Sequence, residues 1–227
     1  MGKYYIKIIV EGNEEKVFFD IVEQLATNEK FALDVENANG CGGIADAFLS
    51  ALREDALFDC VICVYDVDNK IKDTNSPYNI VRRQLMLLFE DDSIVDSISF
   101  CTNPNILQFF LLAANCLNQV ALTSTSKSTN SEYVHRYWPA INSKKTDELG
   151  RKIKPEYNAS KWQLEIIKYS IINNEYTYSN LLENARSLPQ NYKENLPASN
   201  LLPMLNALKD GDENFFKKIN ALIEKIE

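Results

Sequence analysis

A single histidine, His135, is all the imidazole that 227 residues carry. With no Ser or Cys nucleophile pattern beside it, His135 reads as structural, and triad chemistry is not expected. Long apolar runs are missing too. Stretches such as Tyr4 to Val10 and Val61 to Tyr65 are strand-sized, well short of the roughly 20 residues that a bilayer-spanning helix needs. No Gly-x-x-x-x-Gly-Lys is present, so nucleotide binding through a P-loop is not expected. The five cysteines are odd in number and lack paired zinc-finger spacing. Cys60 and Cys63 form a C-x-x-C, but residues three apart on a strand face opposite sides, and reduced thiols are the plain reading. The amino terminus enters a strand without the basic start, apolar stretch and cleavage site of a secretory signal, which predicts a cytoplasmic location.

What is present suffices for a full core: 45% of the residues are hydrophobic, enough for one large domain or one domain with an appendage. The net charge of -8 argues against coating nucleic acid by bulk attraction, yet it conceals a basic patch. Between Lys127 and Lys161 the bases Arg136, Lys144, Lys145, Arg151, Lys152 and Lys154 outnumber the acids. Tyr133, Tyr137, Trp138, Tyr157 and Trp162 are interleaved with them, which suits backbone contact plus base stacking. Rings packed on the core under a solvated loop are an equal reading.

Along the first half, strand and helix patterns alternate. Tyr4 to Val10 reads as a strand, Glu14 to Ala26 as an amphipathic helix, and Phe31 to Val35 as a strand. A glycine-rich turn through Gly40, Gly42 and Gly43 then leads into a helix over Ile44 to Arg53. Its backbone amides could hold a phosphate, although a plain turn reads equally well. Cys60 to Tyr65 has too few polar residues for a half-exposed strand and predicts a central one. Ser76-Pro77 caps a third helix, Ile94 to Cys101 reads as a fourth strand, and Ile106 to Ala113 as a fourth helix. Beyond Ala121 come the basic stretch and amphipathic helices near 160–172, 178–187, 199–208 and 213–226, with no further strand expected. The fold class expected is therefore α/β, a mainly parallel sheet flanked by helices over 1–121, with a helical extension over 122–227 packed on that core.

In open parallel sheets ligands bind beyond the carboxyl ends of the strands. Glu11 closes the first strand, and Asp66 and Asp68 close the third. Aspartates at i and i+2 on a strand point to one side and can converge on a cation, with a glutamate from a neighbouring strand end completing an all-oxygen site for Mg2+ or Mn2+. Asp-x-Asp by itself is a common string, and acidic residues often simply end strands; the combination raises the odds. Glu15, Asn69 and Asp73 are candidates for supporting roles; Glu15 could cap or tune the site, but an exposed helical glutamate is the favoured reading of its position.

Glu11-Gly12-Asn13-Glu14-Glu15-Lys16-Val17-Phe18-Phe19 resembles the first motif of the Toprim superfamily, and Tyr65-Asp66-Val67-Asp68-Asn69 resembles its second. Within that superfamily the chain is most similar to the RloB-like and OLD-like nucleases of prokaryotic defence systems. Asn103-Pro104 before an apolar helix, and Leu196-Pro197 followed by Leu201, Leu202 and Leu205, add to that likeness. The resemblance implies a Toprim, Rossmann-like core and a nuclease that uses Glu11, Asp66 and Asp68 to hold magnesium against a scissile phosphate of DNA or of an RNA such as tRNA. It also implies a partner ATPase of the ABC or AAA type, and a homodimer stays open. Where the family places a glutamate after Asn-Pro, this chain has Ile106, Leu107 and Gln108, which argues against a second metal held from that helix. Two other readings stand beside this one: a non-catalytic module that docks to an ATPase or nucleic acid, and a small-molecule phosphotransfer enzyme.

Overall fold

The computed structural model describes residues 2–26, 29–53, 57–68, 70–103, 106, 177–190, 192 and 198–224. Over these the order is β1 (Tyr4–Val10), α1 (Asn13–Leu25), β2 (Phe31–Asn37), a 3-10 turn at Cys41–Gly43 running into α2 (Ile44–Arg53), and β3 (Cys60–Asp66). Then follow α3 (Pro77–Phe89), α4 (Asp92–Ile98), β4 (Ser99–Asn103), α5 (Tyr178–Ser187), β5 (Ala198–Ser199), α6 (Leu202–Asp210) and α7 (Glu213–Ile223). The strands form one sheet in the order β2-β1-β3-β4-β5. β1 pairs in parallel with β2 and β3, β3 in parallel with β4, and β5 runs antiparallel to β4. The chain is thus α/β with a mostly parallel sheet flanked by helices. Among the described residues no helix is long and apolar enough to cross a membrane.

β3 is buried at all seven positions, as its unbroken apolar run requires of a strand covered on both faces. The chain passes from β1 to β2 on one side and later to β3 on the other. The strand order therefore reverses between β1 and β3, and a crevice opens at their carboxyl ends. Glu11 and Asp66 stand at those two ends.

Two sequence expectations are corrected. Ile94–Ile98 is helical, and the fourth strand is only Ser99–Asn103. Ile94, Val95 and Ile98 recur at helical spacing as well as they fit a strand, and the start signal decides: Asp91 Oδ1 accepts from the backbone N–H of Ser93 at 2.8 Å, capping the helix. A fifth strand also exists where none was expected. Ala198 and Ser199 pair with Asn103 and Thr102, and the Asn200 side chain extends the pairing by accepting from Cys101 N–H at 2.7 Å and donating to the Ser99 carbonyl at 2.9 Å. That short run has no periodicity to betray it, and it delays α6 to Leu202. It also lies far beyond residue 121, so the sheet is completed from the carboxyl-terminal half.

The carboxyl-terminal helices share the core of the sheet. Phe216 of α7, fully buried, stacks against Tyr4 of β1 and Phe31 of β2 at ring separations of 6.2 and 5.3 Å. Phe215 meets Phe100 of β4. Burying a ring of this size contributes about 2–3 kcal/mol. The helices expected near 106–113 and 160–172 lie outside the described residues, apart from the buried Ile106.

Candidate acidic site at the strand ends

Asp66 ends β3 inside the protein, with 8% of its surface exposed. Its Oδ1 accepts two hydrogen bonds, from Thr102 Oγ1 at 2.9 Å and from the backbone N–H of Ile106 at 3.1 Å. Glu11 follows β1, and its N–H donates to the Val64 carbonyl at 3.3 Å, which ties the end of β1 to β3. The Glu11 Oε2 is buried and has no hydrogen-bond partner among the described residues.

Glu15 proves central. It sits one turn into α1 and is 3% exposed, against the expectation of a solvent-facing helical glutamate. Gly12 precedes the helix and has no side chain with which to cap it, so Glu15 reaches back and accepts from the Gly12 N–H through Oε2 at 2.9 Å. That turn places the Glu15 carboxyl close enough to Asp66 for its charge to be felt there. A glycine before a helix with a glutamate at its third position is the sequence signal that would have identified it.

Asp68 departs from the expected geometry. β3 stops at Asp66, Val67 is fully buried, and Asp68 adopts a left-handed turn at φ 56° with an exposed side chain. It does not share a strand face with Asp66, although its charge is felt at both Glu11 and Asp66. Asp73 is exposed and closes a turn, its Oδ1 accepting from Asn75 N–H at 2.9 Å. Asn69, Arg136, Lys144, Lys145, Arg151, Lys152 and Lys154 lie outside the described residues.

The glycine-rich loop forms one wall. Gly40 N–H donates to the Glu11 carbonyl and Ala38 N–H to that of Val10, both at 2.8 Å. Gly40 holds φ 114°, open only to glycine, and a Cβ on Gly43 would stand 2.3 Å from the Ala38 carbonyl oxygen. Cys41, on the same loop, has its thiol pushed up by burial and by the charges of Glu11 and Asp68.

No protein-family model, curated protein or solved structure matches the chain. The site's own electrostatics therefore carry the functional reading. Burial first, and the charge of Glu15 second, push the Glu11 carboxyl up to about 7, partly offset by the Asp66 backbone N–H. Asp66 is raised well above the carboxylate range by burial and then by the charges of Glu15 and Glu11. Glu15 is raised by its own burial. Three carboxyls thus gather where two strands end, and burial together with their mutual repulsion favours their protonated forms.

The donor chemistry fits a hard divalent ion, being all oxygen and in need of positive charge. The side chains are not drawn up around such an ion: among the described residues no three His, Cys, Asp or Glu groups stand in metal-holding geometry.

Proposed function

We propose that the chain is a metal-dependent nuclease of the Toprim type, hydrolysing phosphodiester bonds of DNA or RNA as the effector of a prokaryotic defence system. The observation that carries this reading is the crevice between β1 and β3. There a buried Glu11 oxygen without a partner among the described residues lies beside carboxyls that repel one another. The resemblance of the Glu11 and Asp66-Asp68 segments to Toprim motifs gives the same residues their roles. Mg2+ or Mn2+ would be held by Glu11, Asp66 and Asp68, and when bound it would offset charge on a phosphoryl group and lower the pKa of water.

The chain's own residues supply the rest. Asp66 is fixed by two donors on one oxygen, so its orientation costs nothing at the moment of reaction. Glu11, with its carboxyl near neutrality in the metal-free protein, would give up its proton on ligating the cation, or, where it does not ligate, would act as the general acid or base. Glu15 holds the amino end of α1 against the site through Gly12. The basic aromatic stretch around Arg136 to Lys154 would bind the polymer, and an ABC- or AAA-type ATPase would be the partner.

The lack of a drawn-up three-residue cage among the described residues favours, as a second reading, a docking module that has lost catalysis. Incubating the purified chain with plasmid DNA and total tRNA in Mg2+ or Mn2+, beside Glu11→Gln and Asp66→Asn, separates the two. Cleavage that disappears in both variants is the expected result. No cleavage of either polymer, even with a candidate ATPase added, would move the assignment to the docking module.

A further inference from the structure

Asp66 has two oxygens, and the fold treats them differently. Thr102 lies level with Asp66 on the neighbouring strand and is 1% exposed. Its hydroxyl and the Ile106 N–H both donate to Oδ1, at 2.9 and 3.1 Å. A carboxylate oxygen has about two lone-pair directions, so Oδ1 is fully committed to the protein. Thr102 is itself held on both sides. Its carbonyl accepts from Val67 N–H at 2.9 Å, and it pairs with Ser199 of β5. A β-branched side chain on an interior strand also has little freedom at χ1.

We infer that Thr102 is a positioning residue that reserves Oδ1 of Asp66 for the protein, so that a divalent cation meets this carboxylate through Oδ2 alone. The inference rests on the metal-dependent reading above and adds a selectivity to it. Ca2+ takes six to eight oxygens, often with bidentate carboxylates, whereas Mg2+ and Mn2+ accept one oxygen per carboxylate in near-octahedral geometry. A locked, one-oxygen Asp66 therefore selects the smaller ions. The short strand β5, which pairs with Thr102, becomes part of the apparatus that sets this preference.

The test is a calorimetric titration of the full-length chain with Mn2+ and with Ca2+, in the wild type, Thr102→Val, Thr102→Ser and Asp66→Asn. Thr102→Val should weaken Mn2+ binding by about 10-fold, the lower end of what loss of a ligand's hydrogen-bonding partner costs, and should narrow the Mn2+ over Ca2+ preference. Thr102→Ser should restore both. Should the valine variant not fold, Thr102→Ala makes the same comparison. An unchanged Mn2+ to Ca2+ ratio in the valine or alanine variant overturns the inference while leaving the metal reading intact. Mn2+ binding that Asp66→Asn does not weaken, or its absence from the wild type, sinks the metal reading itself.

Discussion

β1 and the residue that follows it place charge inside the protein at two points, and the two are solved in opposite ways. Lys7, in mid-strand and 8% exposed, has its Nζ 2.9 Å from Asp34 Oδ2 and 2.8 Å from Glu36 Oε2, over the ring of Phe58. Burial works against its charge, and the hydrogen bonds it donates to Glu36 and Asp34 more than offset it, so its pKa is raised. Four residues on, roughly 13 Å along the strand direction, Glu11 meets Glu15 and Asp66 with acid facing acid. The first cluster is complete within the chain. The second has no such cation among the interactions of the described residues, and strongly perturbed carboxyls in a crevice mark a candidate functional site.

The largest expected contrast between the two is in activity. Asp66→Asn or Glu11→Gln should lower cleavage by about 100-fold or more, as removal of a key electrostatic group does, while Lys7→Met stays within about twofold. Rate assays on a single tRNA or plasmid substrate measure both. Equal losses in all three variants would erase the distinction. Next in size is the response to cation: Mn2+ at 100 times its Kd should stabilise the wild type by about 2.7 kcal/mol. The same ion should leave the melting temperature of Asp66→Asn almost unmoved, which scanning calorimetry at pH 8 reads directly.

Titration sharpens the comparison further. For acids whose folded pKa is raised, the native state binds more protons than the unfolded state between the two values, so stability falls as pH rises through that window. For Glu11 the window runs from its ordinary 4.5 to about 7. The metal-free protein should therefore gain about 1–2 kcal/mol on going from pH 8 to pH 5. Saturating Mn2+ should flatten or reverse the trend. A denaturation series that shows stability rising from pH 5 to 8 without metal would contradict the raised Glu11 carboxyl. At pH 8, Glu15→Gln should stabilise the metal-free chain by about 1 kcal/mol, because it removes a buried like charge and keeps an acceptor for Gly12 N–H.

The alternation of patterns in the first half made the parallel sheet legible, because the apolar runs Tyr4–Val10 and Cys60–Tyr65 and the helical period of Ile44–Arg53 can each be read locally. Glu11 and Asp66 were legible for the same reason: the end of a strand can be read locally, and the switch-point rule turns two such ends into one crevice. Long-range partners were not. Thr102 reaches Asp66 from another strand, β5 is two residues added from a distant segment, and Asp68 leaves the strand face because the chain turns left-handed one residue after Val67. A period of two or 3.6 carries no information on such encounters. Glu15 falls between these cases, its burial being foreshadowed by Gly12 but its closeness to Asp66 being tertiary.

The smallest expected effect belongs to the compensated cluster. Removing one partner of a buried ion pair can cost several kcal/mol when the remaining charge stays buried. Here Asp34 and Glu36 are 54% and 43% exposed at their side chains, so water solvates them once Lys7 is gone. Methionine keeps the apolar stem against Phe58. Lys7→Met should then cost only about 0.5–1 kcal/mol. Because the partners face solvent, that cost should shrink in 1 M salt, where the screening length is about 3 Å. The gain from Glu15→Gln should persist in the same salt, since buried carboxyls are screened far less. Chemical denaturation with urea, which adds no ionic strength, measures both differences. If the two variants lost their effects together as salt rose, the acidic cluster would be a solvated surface patch, and its claim to hold a cation would fall with it.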